Sequence, residues 1–266
     1  MTIQSLSLEG FANTRERNRF GISLPLIFGI GIYFLIITHA SAVLRDPDTF
    51  WHIIVGQWII AHGTAPDHGI FSATMANAPW LDQEWLAEIL MTWGYDHFGF
   101  AALAVGTALC EAAAMAILLR ALLGMLPPIY AMFGTVLAGG LWFPHLLARP
   151  YILTIPILVV WAAALVRARS DDRAPSPWFA LLILLWANLH GSFMFGIGLA
   201  GLFAVEAVLL APDWRGRVRT VGDWGFFGVL SLGAASITPL RLARPAVSIP
   251  HDQHDRADLH RRVAGR

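Results

Sequence analysis

The chain has 266 residues, of which 56% are hydrophobic and only 14% are charged, against about 25% charged residues in an average soluble domain. Its mean hydropathy is +0.59, and apolar stretches about 20 residues long recur along it, as they do in membrane-spanning proteins. This composition disfavours a soluble domain. The net charge of zero says little, because the placement of positive residues is what orients a membrane protein.

The first apolar run covers residues 21–44 and follows an arm that contains Arg15, Arg17 and Arg19. The residues Ala40-Ser41-Ala42 resemble a signal-peptidase site, but the run is longer than a signal-peptide core. We interpret it as an uncleaved first helix. Six further runs cover residues 100–123, 129–147, 151–166, 178–189, 193–211 and 224–240. The sequence therefore predicts an all-α, polytopic transmembrane bundle of about seven spans.

The segment 85–95 is short for a span and contains Glu88. If it does not cross, ten arginines lie on the inner side and only Arg45 and Arg149 on the outer side. The ten are Arg15, Arg17, Arg19, Arg120, Arg167, Arg169, Arg173, Arg215, Arg217 and Arg219. If it crosses, the balance reverses and contradicts the positive-inside rule. We therefore predict a cytoplasmic amino terminus and an outer loop over 45–99 with juxtamembrane helices. All eighteen basic residues are arginine, which suggests a GC-rich bacterial genome. We predict that the helical bundle lies in the inner membrane.

The outer loop is acidic. It contains Asp46, Asp48, Asp67, Asp82, Glu84 and Glu88 up to residue 90. Trp51, Ile54 and Trp58 follow at helical spacing, which predicts an interfacial helix. Asp48 has two interpretations, as the N-cap of this helix or as a catalytic or metal-binding acid. Asp46 precedes Pro47 in an extended dipeptide and has no capping role in this prediction.

Taken as a whole, the loop resembles the first outer loop of GT-C-type membrane glycosyltransferases, the superfamily of the protein O-mannosyltransferases and aminoarabinose transferases. Asp46 and Asp48 match an acidic pair that follows the first span in this superfamily. Residues 50–61 match a horizontal helix, residues 63–66 match a Gly-and-Pro turn, and residues 78–81 match an aromatic segment. The resemblance covers residues 20–125. The chain lacks the Lys-Pro-Pro motif of many members and has Asp82-Gln83-Glu84 nearby instead, so the substrate cannot be carried over.

The resemblance implies transfer of a sugar from a polyprenyl-phosphate carrier at the outer face, within the lipid bilayer. The sequence contains no basic aromatic patch that would indicate nucleic acid as a partner. The resemblance implies Asp46 and Asp48 as the catalytic acids, and as the ligands of a divalent cation if one is used. Arg149 is the candidate to balance the leaving phosphate, with membrane snorkelling as its alternative. The remaining candidates for substrate binding are His52, Glu84, His145, Asn188 and His190. Turn capping is the alternative for the last two.

A non-enzymatic alternative rests on Glu111, which lies in the middle of an apolar run. Ionisable residues at bilayer depth commonly serve a function. A transporter half or an assembly subunit would depend on Glu111 more than on the outer loop. An inactive, truncated relative of the glycosyltransferases is the third hypothesis.

The carboxyl end differs from the rest. We divide the chain into a transmembrane domain, 1–240, and an irregular polar tail, 241–266, with six arginines. The tail has three interpretations. It is a solvated tail, a metal-binding tract with His251, His254 and His260, or the product of a frameshift near Arg241 or Arg244. The frameshift is the favoured hypothesis, because these arginines would lie on the outer side.

Overall fold

The computed structural model describes residues 23–72 and 78–238, and the regular secondary structure of this part is helical. The α-helices are α1 (Leu24–Thr38), α2 (Ala40–Val43), α3 (Asp48–His62), α4 (Trp85–Phe98), α5 (Phe100–Leu123), α6 (Pro128–Trp142), α7 (Ile155–Ser170), α8 (Ala180–Leu189), α9 (Phe193–Leu209) and α10 (Trp214–Ala235). Short 3-10 segments cover Phe143–His145, Pro150–Thr154 and Pro177–Phe179. The all-α prediction is confirmed for these residues. The predictions about the arginine arm and the tail 241–266 lie outside them.

Among the described residues, two helical stretches are long and apolar enough to cross a membrane. They are Phe100–Leu123 and Pro150–Ser170, the latter formed by a 3-10 segment that continues into α7. Leu24–Thr38, Pro177–Leu189 and Phe193–Leu209 are apolar but shorter. Each of the seven apolar runs lies largely in a helix, but the number of spans stays a prediction.

Several predicted boundaries were wrong, and polar or proline residues explain where. The first run is interrupted at His39, between α1 and α2, and α6 ends at Trp142, just before Pro144. The last helix begins at Trp214 rather than at residue 224. Its N-cap is Asp213, which accepts a 2.6 Å hydrogen bond from the Gly216 N–H and so extends the helix through a polar turn.

The predicted interfacial helix is α3, and it packs closely on α4. Pro47 precedes it and Gly63 ends it with a left-handed φ of 69°, a conformation that glycine adopts without strain. The two helices touch at Gly56, where the Thr92 hydroxyl donates a 3.0 Å hydrogen bond to the Ile53 carbonyl. This contact fixes one face of α3 against the first turns of α4.

The main apolar core joins α7, α8, α9 and α10. Trp161 stacks on Phe227 with 5.4 Å between the ring centroids, and its indole N–H donates to the Gly196 carbonyl at 2.8 Å. A second cluster joins α1, α5 and the segment after α6, where the Ala148 N–H donates to the Val43 carbonyl at 2.9 Å. The chain after α1 is thereby held beside the chain after α6.

Many large apolar side chains face outward along the helices. Ile129, Phe133 and Leu141 of α6 are 72%, 68% and 71% exposed, and Phe195 of α9 is 79% exposed. Exposed apolar surface of this extent indicates contact with another apolar phase, such as a membrane or a partner protein.

Candidate functional site

An arginine joins the two aspartates of the predicted acidic pair. The Arg149 Nε donates to Asp46 Oδ2, and its Nη2 lies 2.7 Å from Asp48 Oδ2. Asp46 is buried, and the hydrogen bond from Arg149 is the main reason why its pKa lies below the ordinary value. The same contact raises the pKa of Arg149. The three residues form a compact ion cluster in which the Arg149 guanidinium favours the charged form of Asp46.

Hydrogen bonds from neighbouring residues position the members of this cluster. The Thr49 hydroxyl donates to the Ala148 carbonyl at 3.1 Å, which brings the start of α3 against the residue that precedes Arg149. Asp46 Oδ1 accepts the Asp48 N–H at 3.1 Å, and Pro47 occupies the N-cap position of α3, with Asp48 as the first helical residue. The N-cap interpretation of Asp48 was therefore wrong. Asp46 binds the first backbone N–H instead, which leaves the Asp48 carboxylate free of a capping role.

A second polar cluster lies against the first and joins α3, α4 and the turn after α8. His52 Nδ1 lies 3.0 Å from Glu88 Oε1 and 3.6 Å from Glu84 Oε2. His190 Nε2 lies 3.0 Å from Glu84 Oε1. Glu84 thus stands between two histidines from distant parts of the sequence.

The hydrogen bonds of His190 define its tautomer. Its Nδ1 accepts the Ser192 N–H at 3.0 Å and lies 2.8 Å from Ser192 Oγ, which itself accepts the Trp186 indole N–H at 2.9 Å. The proton of the neutral ring is therefore on Nε2, from which it is donated to Glu84. A buried tryptophan and a serine thus orient the histidine toward the carboxylate.

Burial dominates the acid–base behaviour of the second cluster. Burial, with a smaller contribution from the neighbouring Asp82, raises the pKa of Glu88 to about 10. It also raises the pKa of Asp82 and lowers that of His52, the latter against the opposing charge of Glu84.

A polar cavity of about 400 Å³ opens between the two clusters. It is lined by Asp48, Trp51, His52, Glu84, Arg149, Pro150, Tyr151 and His190. An apolar groove of about 430 Å³ lies nearby, lined by Trp85, Leu86, Leu181, Leu184, Leu185, Asn188, Ile237 and Thr238. Consecutive residues line the cavity and the groove, since Glu84 lines the cavity and Trp85 lines the groove.

The structure brings five of the eight predicted site residues to the cavity wall and a sixth, Asp46, behind it. The other two lie elsewhere. The His145 side chain is exposed, and its carbonyl accepts a hydrogen bond from the Tyr151 hydroxyl. The Asn188 side chain accepts from Trp85 Nε1 at 3.0 Å and donates to the Ile237 carbonyl at 3.0 Å, contacts that serve helix packing.

Sequence reasoning missed Glu88 and Tyr151 as site residues. Glu88 lies four residues after Glu84, so both can face the same side of a helix, but α4 begins only at Trp85. Two acids spaced four residues apart at the start of an apolar helix were the available signal. Tyr151 stands at the start of a predicted span and gives no local signal.

Comparison with known proteins returned no match among protein families, curated proteins or solved structures. The site is therefore interpreted from its own geometry.

The buried acid Glu88 makes stability dependent on pH. Between its ordinary pKa of 4.5 and its folded value of about 10, the folded state keeps a proton that the unfolded state loses, so stability falls as pH rises. In metal-free protein, Glu88→Gln is expected to remove this contribution. The wild type should lose more thermal stability than the variant between about pH 5 and about pH 8, as measured by tryptophan fluorescence with a chelator present. Equal losses in the two proteins would contradict the prediction.

Proposed function

We propose that this chain is a GT-C-like membrane glycosyltransferase, which moves a sugar from a polyprenyl-phosphate carrier to an acceptor at the outer face of a bacterial inner membrane. The observation that supports it best is the cavity in which Arg149, bonded to Asp46 and Asp48, faces Glu84 and His190. In this proposal the chain crosses the membrane seven times, and its amino terminus is cytoplasmic.

The distribution of charge supports this orientation. Cavity residues come from the chain after α1, the chain after α6 and the turn after α8. In an alternating topology these three positions lie on the same side. Arg120, Arg167 and Arg169 lie near the opposite helix ends, which are cytoplasmic under the positive-inside rule.

The first cluster has the groups that glycosyl transfer from a lipid phosphate requires. Arg149 is about one-third exposed and can balance the charge that develops on the departing phosphate. Asp48 is about half exposed in the cavity wall and can receive the proton of the acceptor hydroxyl. Asp46 is buried behind them and acts as a positioning residue for Arg149.

The apolar groove suits the isoprenoid tail of such a donor. It is lined by residues of α4, α8 and the segment after α10. The lining includes the hydrogen-bonded pair Trp85 and Asn188, which lie one residue from Glu84 and two residues from His190 in the sequence. A donor with its phosphate at Arg149 would have an apolar surface within reach for the first isoprene units.

Asp48→Asn tests the proposal. This substitution keeps the size of the side chain and removes the proton acceptor, so transfer from a labelled polyprenyl-phosphate sugar should fall by about 100-fold or more. Asp96→Asn is the matched control, because Asp96 is an exposed acid of α4 that binds Gln57 at 3.1 Å and does not line the cavity. Transfer unchanged by Asp48→Asn would remove this acid from the mechanism.

One observation favours the non-enzymatic alternative, a transporter half or assembly subunit. Glu111 of α5 is fully buried, and neither of its carboxyl oxygens has a hydrogen-bond partner among the described residues. A buried acid of this kind inside a span suits proton or ion movement. If Glu111→Gln abolishes the function of the protein in cells and Asp48→Asn does not, the result would support transport over glycosyl transfer.

A further inference from the structure

We propose that His52, Glu84 and Glu88 bind a divalent transition-metal ion of the Zn²⁺ or Mn²⁺ type. This site differs from the Asp46 and Asp48 pair that the sequence predicts as metal ligands. It does not depend on the proposed glycosyl transfer.

The three side chains converge at distances that suit one ion. One ligand atom from each lies within 4.8 Å of the other two. His52 Nδ1 is 3.0 Å from Glu88 Oε1 and 3.6 Å from Glu84 Oε2. Metal bonds of about 2.0 to 2.2 Å separate neighbouring ligand atoms by roughly 3 to 3.5 Å in a tetrahedral site. An ion could therefore be bound with only small movements of these side chains.

The charge of the cluster also calls for a cation. Glu88 and Asp82 are 1% and 2% exposed, and Glu88 Oε2 and Asp82 Oδ2 have no hydrogen-bond partner within 23–72 and 78–238. Arg149, the arginine of the cavity wall, is already bonded to Asp46 and Asp48. Buried carboxylates that lack partners are costly. Either a proton on Glu88 or a bound cation removes that cost.

The chemistry of the ligands selects the class of ion. An imidazole nitrogen favours first-row transition metals, while two carboxylates suit Mn²⁺ and Zn²⁺, and Mg²⁺ prefers oxygen ligands alone. His190 donates to the other oxygen of Glu84, which is how metal-bound carboxylates are commonly oriented. His52 and Glu84 line the cavity, so a further position on the ion would face a water molecule or a substrate oxygen.

The Asp46 and Asp48 pair suits an ion less well. Both carboxylates already bind the Arg149 guanidinium, and an ion placed between them would lie against that positive charge. Metal binding by this aspartate pair is therefore the alternative that the experiment must distinguish from binding by His52, Glu84 and Glu88.

The experiment titrates the full chain in detergent, stripped of metal by a chelator, with Co²⁺ alone and follows the visible absorption of the bound ion. We expect one ion per chain with a dissociation constant of about 10 μM or lower. Glu88→Gln and His52→Ala should each weaken binding by about tenfold or more, and Asp48→Asn should leave it within about twofold. Zn²⁺ should raise the thermal unfolding midpoint of the wild type but not of Glu88→Gln.

Glu84→Gln is the second variant if His52→Ala fails to fold, because Glu84 is about one-quarter exposed and tolerates substitution more readily. Its binding should fall by the same factor. Absence of Co²⁺ binding by the wild type would overturn the proposal, as would binding lost in Asp48→Asn but kept in Glu88→Gln. No sugar donor is present in this experiment, so its failure leaves the proposed glycosyl transfer to its own test.

Discussion

Replacing Gly56 with alanine is expected to lower the free energy of unfolding by about 1 to 3 kcal/mol and to separate the site residues of α3 from those of α4. A Cβ at this position would overlap the Thr92 hydroxyl, and it would lie 2.7 Å from the backbone carbonyl carbon of Glu88. A backbone group cannot rotate away as a flexible side chain can, so the helices must move apart. That movement would also stretch the contact between His52 and Glu88, one turn from Gly56.

Thermal unfolding in detergent, followed by tryptophan fluorescence, measures this effect. Gly31→Ala is the matched control, since Gly31 is a helical glycine of α1 with no atom within 4 Å of an added Cβ. Its midpoint should stay the same or rise slightly, because alanine favours a helix. A Gly56→Ala protein as stable as Gly31→Ala would show that α3 and α4 do not pack this closely.

The helices were predictable because the signal for them is local. Apolar runs locate α5, α8 and α9 closely, since burial or membrane contact along a helix requires a continuous apolar segment. The errors occur where a single polar residue decides the boundary. His39 interrupts the first run, and Asp213 starts α10 in a polar stretch where hydropathy contains no helix signal.

The candidate site was partly predictable for a different reason. The order of Asp46, Asp48 and the helix that follows resembles a known loop, and a predicted topology placed Arg149 and His190 on the same side as this loop. The pairing itself was not predictable from local patterns, because 103 residues separate Arg149 from Asp46. Glu88 is buried between helices, and only the packing of α3 on α4 shows which histidine it meets.

The choice between Asp46 and Asp48 shows the same limit. From the sequence, Asp48 was the capping candidate because it precedes the helical pattern. In the structure the helix begins one step earlier, so Asp46 accepts the backbone N–H of Asp48. A shift of a helix start by one residue lies within the ordinary uncertainty of any boundary, yet it exchanges the roles of two acids.

Arg149→Met is expected to have the largest effect on the first cluster. It removes the cation that Asp46 and Asp48 share, while it keeps much of the apolar stem of the side chain. Asp46 is buried, so loss of its partner should lower the free energy of unfolding by about 1 to 3 kcal/mol. Under the proposed function, sugar transfer should also fall by about 100-fold or more, because the leaving phosphate loses its cation.

The sign of the pH dependence follows from the lowered pKa of Asp46. An acid with a folded pKa below its unfolded value of 3.8 stabilises the fold above that value, and the contribution disappears as pH falls through the folded pKa. The stability difference between wild type and Arg149→Met should therefore be largest near neutral pH. It should shrink as pH falls, because burial without the arginine favours the protonated form of Asp46 in the variant.

A double substitution separates the ion pair from other roles of Arg149. Adding Asp46→Asn to Arg149→Met removes the buried charge as well as its partner, so most of the lost stability should return, as a favourable coupling between the two positions. Arg167→Met is the control, since the Arg167 side chain is 81% exposed and lies 3.9 Å from Asp171, a contact that contributes little. If Asp46→Asn fails to restore stability to Arg149→Met, the arginine acts through packing, and the ion cluster does not hold the two chain segments together.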